Sequence, residues 1–395
     1  MAHNARSRGW VCWMRRIRLA VAVLLFYVCT ISNRSMSQIS GGHVSSEVSP
    51  RTVRISVFSL FKPKALRIST GGDTPVVVDM GGQVELLPLG SQALIELAPK
   101  GGIRTSASSW RKSGDSLRLS RSQNDPASPA MFWLEVPGKL RRKFTGTLEI
   151  RAKDASLEAI VTMPLETAVA SVVQAESPPG APLEALKAQA VAARSFLVAK
   201  QAGHIGFDFC DTTHCQFLRS PPSEDSLATK ATKATKGLVL SWHDPASAED
   251  RTLPAMYARS CGGHTRSLRE IGVRSSGYPY YAVRCAYCIR RPELWQRNRT
   301  TPNDESYKPR TEQERLAYNR VHGWSAIPSL AASPAQTTGE HDGLPGRGVG
   351  HGLGLCQLGA ADMARHGSSF DRILAHYYPN TRLVDLTNSR QQSAR

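Results

Sequence analysis

An α+β fold is predicted, with a β-rich N-terminal part followed by a mixed helix/strand region, and three observations predict it. From Arg51 to about Ala168 the runs VRISVF, LIEL, FWLEV and GTLEIRA alternate apolar and polar residues between Gly-Gly and Asn-Asp-Pro turns. Residues 165–200 then switch to helical spacing. From Leu238 onward short strand-like and helix-like segments are mixed.

The N-terminus comes first. Arg6, Arg8, Arg15, Arg16 and Arg18 precede an uncharged apolar run from Leu19 to Ile31. That run suits the h-region of a signal peptide better than a full membrane span. Residues 1–31 are therefore expected to be a signal peptide or N-terminal anchor, with membrane contact through this segment if it stays uncleaved. Export is expected, to the cell envelope on its periplasmic or cell-wall side. Residues 32–50 are polar and read as a linker, and 51–155 form the β-rich region, where no titratable cluster stands out. Residues 156–385 hold the motifs below, interrupted by a polar arm at about 290–346 rich in Arg, Pro and Ser, and 386–395 is a polar tail. The formal net charge of +18 favours an acidic partner: nucleic acid, anionic lipid or an acidic cell wall. No helix-turn-helix, zinc-finger pair or aromatic RNA-binding signature is present, so no nucleic acid is expected.

Two helices should flank a sharp corner. Pro164 opens Leu165 to Ala175, and Pro182 opens a second helix running to Lys200 with an Ala-rich interior. Leu183, Leu186, Ala190 and Leu197 fall on one face, with Val191 and Val198 beside them, so a buried stripe is expected. Between the helices lies Glu176, in VVQAESPPG. A carboxylate at a helix C-terminus faces unpaired carbonyls, which raises its pKa toward what a general acid needs. The plain alternative is a solvated turn carboxylate.

His204, Cys210, His214 and Cys215 crowd the loop HIGFDFCDTTHCQ. Thiolate and imidazole donors at that spacing can close a tetrahedral zinc site, a structural one because four protein ligands leave no open position. A Cys210–Cys215 disulfide is the alternative. Cys261, Cys285, Cys288 and Cys356 form a second group: two disulfides, which the chemistry of an exporting compartment favours, a second metal site, or pairs that differ with redox state. The tract ATKATKATK at 228–236 reads as a helix or a solvated loop, strands follow at Leu238–Trp242 and Ala255–Ala258, and helices close the chain at about 357–366 and 370–377. Glycines at 346, 348, 350, 352 and 354 alternate with other residues. The run is no phosphate loop; it suggests a strand closely approached by another backbone or a sugar. His351 in that run is a candidate substrate contact or a capping histidine, and Tyr257, Ser260 and Gln357 carry the same two readings.

Three blocks in order, VVQAESPPGAPLEALKAQAVAARSF, YARSCGGHT and GHGLGLCQLG with AADMARHGSSFDRILAHYYPNT after it, resemble the SpoIID/LytB family of peptidoglycan-acting proteins. The blocks span roughly residues 155–385, so the resemblance makes 156–385 a SpoIID-like catalytic region. It implies a lytic transglycosylase that cleaves peptidoglycan glycan strands between N-acetylmuramic acid and N-acetylglucosamine. Glu176 matches the family's catalytic glutamate, acid first and base second. Tyr257, Ser260, Gly262, Gly263, His351 and Gln357 become candidate substrate-binding residues. The Cys/His loop is similar to a family zinc site of His, Cys, His and Cys, which implies structural Zn²⁺. Expected partners are the glycan strands and an amidase that removes stem peptides. LytB-type members imply a second reading, a non-catalytic wall-binding modifier of such an amidase. A zinc-dependent hydrolase is a third reading, and it needs an open zinc position that the loop does not suggest. The chain departs from the family pattern at Cys261, where a small residue precedes the Gly-Gly pair, at Cys356, and at Ser177, where Met is common.

Overall fold

Strand alternation between Arg51 and Pro164 builds one large sheet. The structure is a computed structural model, and it describes residues 51–73, 75–99, 101–121, 129–199, 204–212, 214–245, 247–268, 282–291 and 351–387. The N-terminal segment, the linker, nearly all of the arm, Gly346, Gly348, Gly350 and the tail from 388 lie outside the described residues. Among the described residues eleven strands precede the first α-helix: β1 (Thr52–Val57), β2 (Ala65–Thr70), β3 (Val76–Met80), β4 (Gln83–Leu87), β5 (Gln92–Leu97), β6 (Ile103–Ala107), β7 (Arg111–Gly114), β8 (Ser116–Arg121), β9 (Ala130–Val136), β10 (Leu140–Lys153) and β11 (Ser156–Pro164). They form a curled sheet together with β12 (Phe209–Cys210), in the order β12-β1-β11-β10-β9-β2-β5-β6-β7, and β8 carries β3 and β4 on a branch from β10. The sheet therefore runs across residue 155, and all the described residues belong to one compact unit, Pro50–Arg395.

The long β10 makes the curl. Its first half pairs with β9 and its second half with β11 and β8. Gly146 sits at the change of neighbour with φ +136, and a Cβ there would meet the Thr162 carbonyl oxygen at 2.0 Å. Only glycine fits so close an approach. In β9 the alternation AMFWLEV puts Ala130, Phe132, Leu134 and Val136 inside. Phe132 and Phe144 meet there at 6.0 Å between ring centroids, and Phe144 meets Phe58 edge-on at 5.8 Å.

Helices α1 (Leu165–Glu176) and α2 (Leu183–Ala199) form where Pro164 and Pro182 predict them. The buried stripe expected for α2 is corrected: every residue from Ala188 to Leu197 is buried. The reason is its neighbours. Helix α2 packs against α1, α3 (Leu227–Ala234), β13 (Leu238–Asp244), α5 (Gln357–Arg365) and α6 (Phe370–Tyr377), and its small alanines admit all of them. The ATKATK tract is a helix, α3, with Ala228, Thr229, Ala231 and Thr232 buried and Lys230 and Lys233 outside. Ser226 caps it by accepting the Thr229 N–H at 3.1 Å. Strand β13 pairs antiparallel with β14 (Glu249–Thr252) and β17 (Arg382–Asp385). Between them in sequence, β15 (Tyr257–Ala258) and β16 (Leu355–Cys356) make a short parallel pair, and α4 (Ala286–Arg290) carries two of the cysteines at its start. The strand expected through the glycine run is also corrected at Gly352 and Gly354, whose φ values of +74 and +65 are turn conformations. The close approach does occur: a Cβ on Gly354 would meet the Met256 carbonyl oxygen at 2.1 Å.

A buried cation organises the helices. Arg194 of α2 is 0 % exposed and forks onto Glu166 of α1 at 2.9 and 2.7 Å. The same guanidinium donates to the carbonyls of Leu238 at 3.1 Å and Thr232 at 3.2 Å. Removing it leaves a carboxylate and two carbonyls without their donor. Arg194→Met is expected to lower the free energy of unfolding by about 3 kcal/mol in urea titrations. Combining it with Glu166→Gln should recover part of that loss; a loss below about 1 kcal/mol would show that the fork is not structural.

Candidate active site

Glu176 is the last residue of α1, at the corner that its flanking prolines predict. The Ser177 N–H closes the helix on the Val173 carbonyl at 3.1 Å, and Pro178, Pro179 and Gly180 (φ +66) turn the chain into α2. The half-buried carboxylate accepts the backbone N–H of Phe217 at 2.7 Å. That donor arrives from the segment that follows the Cys/His loop. Strand β12 fixes the segment by pairing parallel with β1, and the buried Asp211 accepts Arg142 of β10 at 3.0 Å and the Phe58 N–H at 3.2 Å. Burial pushes the Asp211 carboxyl up to about 6, against the opposing pull of Arg142. Arg142 also lies over the rings of Phe58 and Phe217.

Several buried polar atoms on neighbouring elements are uncommitted. The Gln189 side chain of α2 accepts Gln357 Nε2 at 3.5 Å, while Gln189 Nε2 itself has no partner. Tyr257 Oη approaches the Gln189 carboxamide without reaching hydrogen-bond geometry, and it lies within the field of Glu176. Burial first and the Glu176 charge second hold the Tyr257 phenol well above its ordinary pKa, so it stays an O–H donor. Ser177 Oγ and Gln216 Oε1, neighbours of Glu176 and Phe217 in sequence, are likewise buried without partners. Groups left so are costly unless water or a ligand completes them. Beside them opens a cavity of about 430 Å³ lined by Arg142, Gln174, Arg219, Ser220, Ser223 and Ser226, a basic and hydroxyl-rich wall that does not include Glu176 itself.

The candidate residues divide into two groups. Gln357 meets Gln189, and Tyr257 lies close to Gln189 and within the field of Glu176. The β15–β16 pair that carries Tyr257 is pinned by Tyr378, whose hydroxyl donates to the Met256 carbonyl at 2.6 Å and accepts the Leu355 N–H at 3.2 Å. Gly262 and Gly263 (φ +78 and +117) instead shape the loop around Cys261, and the Gly263 carbonyl accepts the Cys285 N–H at 2.8 Å. Ser260 is buried. His351 acts inside its own loop, where Nδ1 accepts the Leu353 N–H at 3.0 Å. Gln189, Gln216, Arg142 and Asp211 escaped the reading of the sequence. Gln189 alone carried a visible signal, as an amide in an otherwise small and apolar helical stretch.

Both cysteine groups converge. His204 Nε2 lies 3.1 Å from Cys215 Sγ, His214 Nδ1 lies 3.4 Å from the same sulfur, and Cys210 Sγ lies 3.5 Å from it. The four donor atoms all lie within 4.8 Å of one another, as do the sulfurs of Cys261, Cys285, Cys288 and Cys356. No disulfide joins any of these six cysteines among the described residues. The hydrogen bond between Cys210 and Cys215 holds the first thiol far below its ordinary range and pushes the second above it. That is the signature of donors crowded at one point.

The accepting Nδ1 of His351 requires the neutral imidazole. Burial first, then the Arg266 charge, lower its pKa from 6.5 to about 4. The unfolded chain therefore takes up this proton first. Stability from this group is complete above about pH 6.5 and is lost as the pH falls toward 4. His351→Asn keeps an acceptor that does not titrate, so its stability should fall less over that window. Parallel stability curves for the two proteins would refute the assignment.

The family model for SpoIID, Stage II sporulation protein, matches residues 153–242, which include Glu176 and the whole Cys/His loop. Stage II sporulation protein D of Bacillus subtilis (strain 168) is 24% identical over 264 residues, covering 58% of this chain and 76% of its own. An uncharacterized protein of Brachyspira hyodysenteriae is 26% identical, covering 62% of this chain and 73% of its own. The amidase enhancer of Bacillus subtilis (strain 168) is 25% identical over 54% of this chain, which spans 40% of that longer protein. The family model and these relatives place the similarity of this chain to SpoIID proteins on its helical pair and its Cys/His loop, with alignment extending over more than half of its length.

Proposed function

We propose that the protein acts on peptidoglycan as a lytic transglycosylase, with Glu176 as the sole acid and base. The observation that carries this reading is the setting of Glu176, held by the Phe217 N–H at 2.7 Å beside the unpartnered polar atoms of Gln189, Tyr257 and Gln216. A glycan is rich in hydroxyl and amide groups that complete such atoms. In the first step Glu176 gives its proton to the oxygen leaving C1 of N-acetylmuramic acid, and the C1–O bond breaks. The carboxylate then takes the proton of the same sugar's 6-hydroxyl, whose oxygen bonds to C1 and closes a 1,6-anhydro ring. No water is consumed, and Glu176 ends as it began. One carboxyl group is enough, unlike the paired carboxylates of hydrolysing glycosidases. The protonated Tyr257 phenol is suited to donate to a sugar oxygen, and the basic wall at Arg142 and Arg219 suits an acidic wall polymer. An envelope location agrees with this reading; no helix among the described residues is long and apolar enough to cross a membrane.

Within this reading His204, Cys210, His214 and Cys215 hold one structural zinc. An ion with bonds of about 2.0–2.3 Å needs its four donors about 3.3–3.8 Å apart, and the closest donor pairs here stand at 3.1 to 3.7 Å. All four positions are filled by protein, so the ion would brace the segment that delivers the Phe217 N–H. A second reading, stimulation of an amidase without catalysis, is favoured by the relative that bears the amidase enhancer name.

Glu176→Gln keeps the acceptor for Phe217 but has no proton to give. Release of anhydro-muramyl ends from denuded glycan strands, read by mass spectrometry, is expected to fall on the order of 10²-fold or more with folding unchanged. Undiminished release would discard Glu176; no release by either protein, with amidase stimulation kept by both, would select the second reading. For the zinc, Cys215→Ser should cost one equivalent of bound metal and lower the melting temperature by about 5 °C or more, an effect larger than its effect on a residual reaction. Full metal content in that variant would remove Cys215 from the ligand set.

A further inference from the structure

The four remaining described cysteines have no part in that chemistry, and their arrangement is specific. Cys261 lies in the turn after β15, Cys285 and Cys288 flank the first turn of α4, and Cys356 ends β16 and caps α5. Residues far apart in sequence thus bring four sulfurs within 4.8 Å of one another, with Cys288 and Cys356 at 3.6 Å. Their exposures are 5, 1, 0 and 1 % in chain order. We propose that these four cysteines bind a single zinc ion as a tetrathiolate site, separate from the Cys/His site.

Geometry separates this from the alternatives. Four thiolates at about 2.3 Å from one ion stand about 3.8 Å apart, and every pair here lies within reach of that edge. Two disulfides would sort the sulfurs into two bonded pairs at about 2.05 Å, whereas each sulfur here is near the three others. A polynuclear iron–sulfur cluster places its own iron and sulfide atoms between the cysteines and spreads them wider. The Cys-x-x-Cys pair on a helical turn is the usual half of a zinc knuckle, since it points two sulfurs at one point.

The surroundings suit a negative sulfur cage. Cys356 Sγ accepts the Gly359 N–H at 3.4 Å from the first turn of α5, where the helix dipole favours a thiolate. The Tyr377 hydroxyl reaches Cys285 Sγ at 3.4 Å. Arg284, Arg290 and Arg291 surround the knuckle in sequence. Space has been reserved as well: a Cβ on Gly359 would stand 2.5 Å from Cys285 Sγ and 2.1 Å from the Tyr377 oxygen. Such an ion would clamp together the turn of Gly262 and Gly263, the β15–β16 pair and the start of α5. Tyr257 and Gln357 sit on the two strands or termini so joined, which makes the site a positioning device for them. The assignment of the metal site itself does not rest on the glycan-cleaving reading.

The test is a metal count on the full-length protein purified under nitrogen with zinc supplied. We expect about two zinc per chain for the wild type and about one each for Cys288→Ser and Cys215→Ser. Replacing zinc by cobalt should give a wild-type charge-transfer band much stronger than that of Cys288→Ser, because thiolate ligands supply its intensity. If the variants do not fold, alkylation of the wild type decides: these four thiols should be protected in the zinc-loaded protein and become reactive after chelation in denaturant. Zinc at about one per chain with all four thiols reactive would overturn the proposal, as would intact-mass detection of two disulfides joining these residues or iron in place of zinc.

Discussion

Arg194 is the constraint around which the helical half is arranged. A guanidinium with no exposed surface must be fully paired, because an unpaired charge in that position costs several kcal/mol. Four of its hydrogen bonds go to Glu166 of α1, the end of α3 at Thr232 and the start of β13 at Leu238. Four elements are thereby held in one geometry. Ser195, the next residue, adds to it by accepting the Leu240 N–H at 2.8 Å while donating to Val191 within the helix. The corner at Glu176 inherits its position from these contacts, since it joins the two helices that Arg194 ties.

The site then needs material from elsewhere in the chain. The sheet supplies Arg142, whose pairing with buried Asp211 carries the Cys/His loop against β1 and β10 and so aims the Phe217 N–H at Glu176. The C-terminal region supplies Tyr257, which lies within the field of Glu176, and Gln357, which meets Gln189 of α2. Tyr378 performs on β15 and β16 what Arg194 performs on the helices, one buried side chain bonding two backbones at once. Precision at Glu176 is thus built from backbone contacts whose polar ends are closed, while several buried polar atoms on the surrounding elements are left open.

Both cysteine clusters stand on very short elements and the loops beside them: Cys210 ends β12, Cys356 ends β16 and Cys288 lies in α4. The segments they occupy have little regular structure to hold them, as the two-residue strands β12, β15 and β16 show. A short strand contributes few ladder bonds, so a covalent or coordinate link is the natural brace. The departures from the family pattern at Cys261 and Cys356 become intelligible together, since neither alone completes a site.

Much of this was legible in the sequence. Local signals act over a few residues, so Pro164 and Pro182 located two helix starts, alternation located the strands, and the Pro-Pro-Gly corner located Glu176 at a helix end. Clustered cysteines and histidines in one loop were visible for the same reason. The ambiguity of the ATKATK tract was resolved only by what covers its alanine face, and the stripe expected on α2 became a stretch buried all round from Ala188 to Leu197 because neighbouring elements cover every side of it. The glycine run misled because close backbone approach and extended conformation give the same sequence signal. Gln189, Gln216, Arg142 and Asp211 left little trace, because their roles depend on partners tens to hundreds of residues away. Residue type and spacing determined which chemical groups this chain carries and which local turns it makes. The tertiary structure alone decided which groups meet, since burial and the demand that every buried polar atom find a partner are properties of the packed whole.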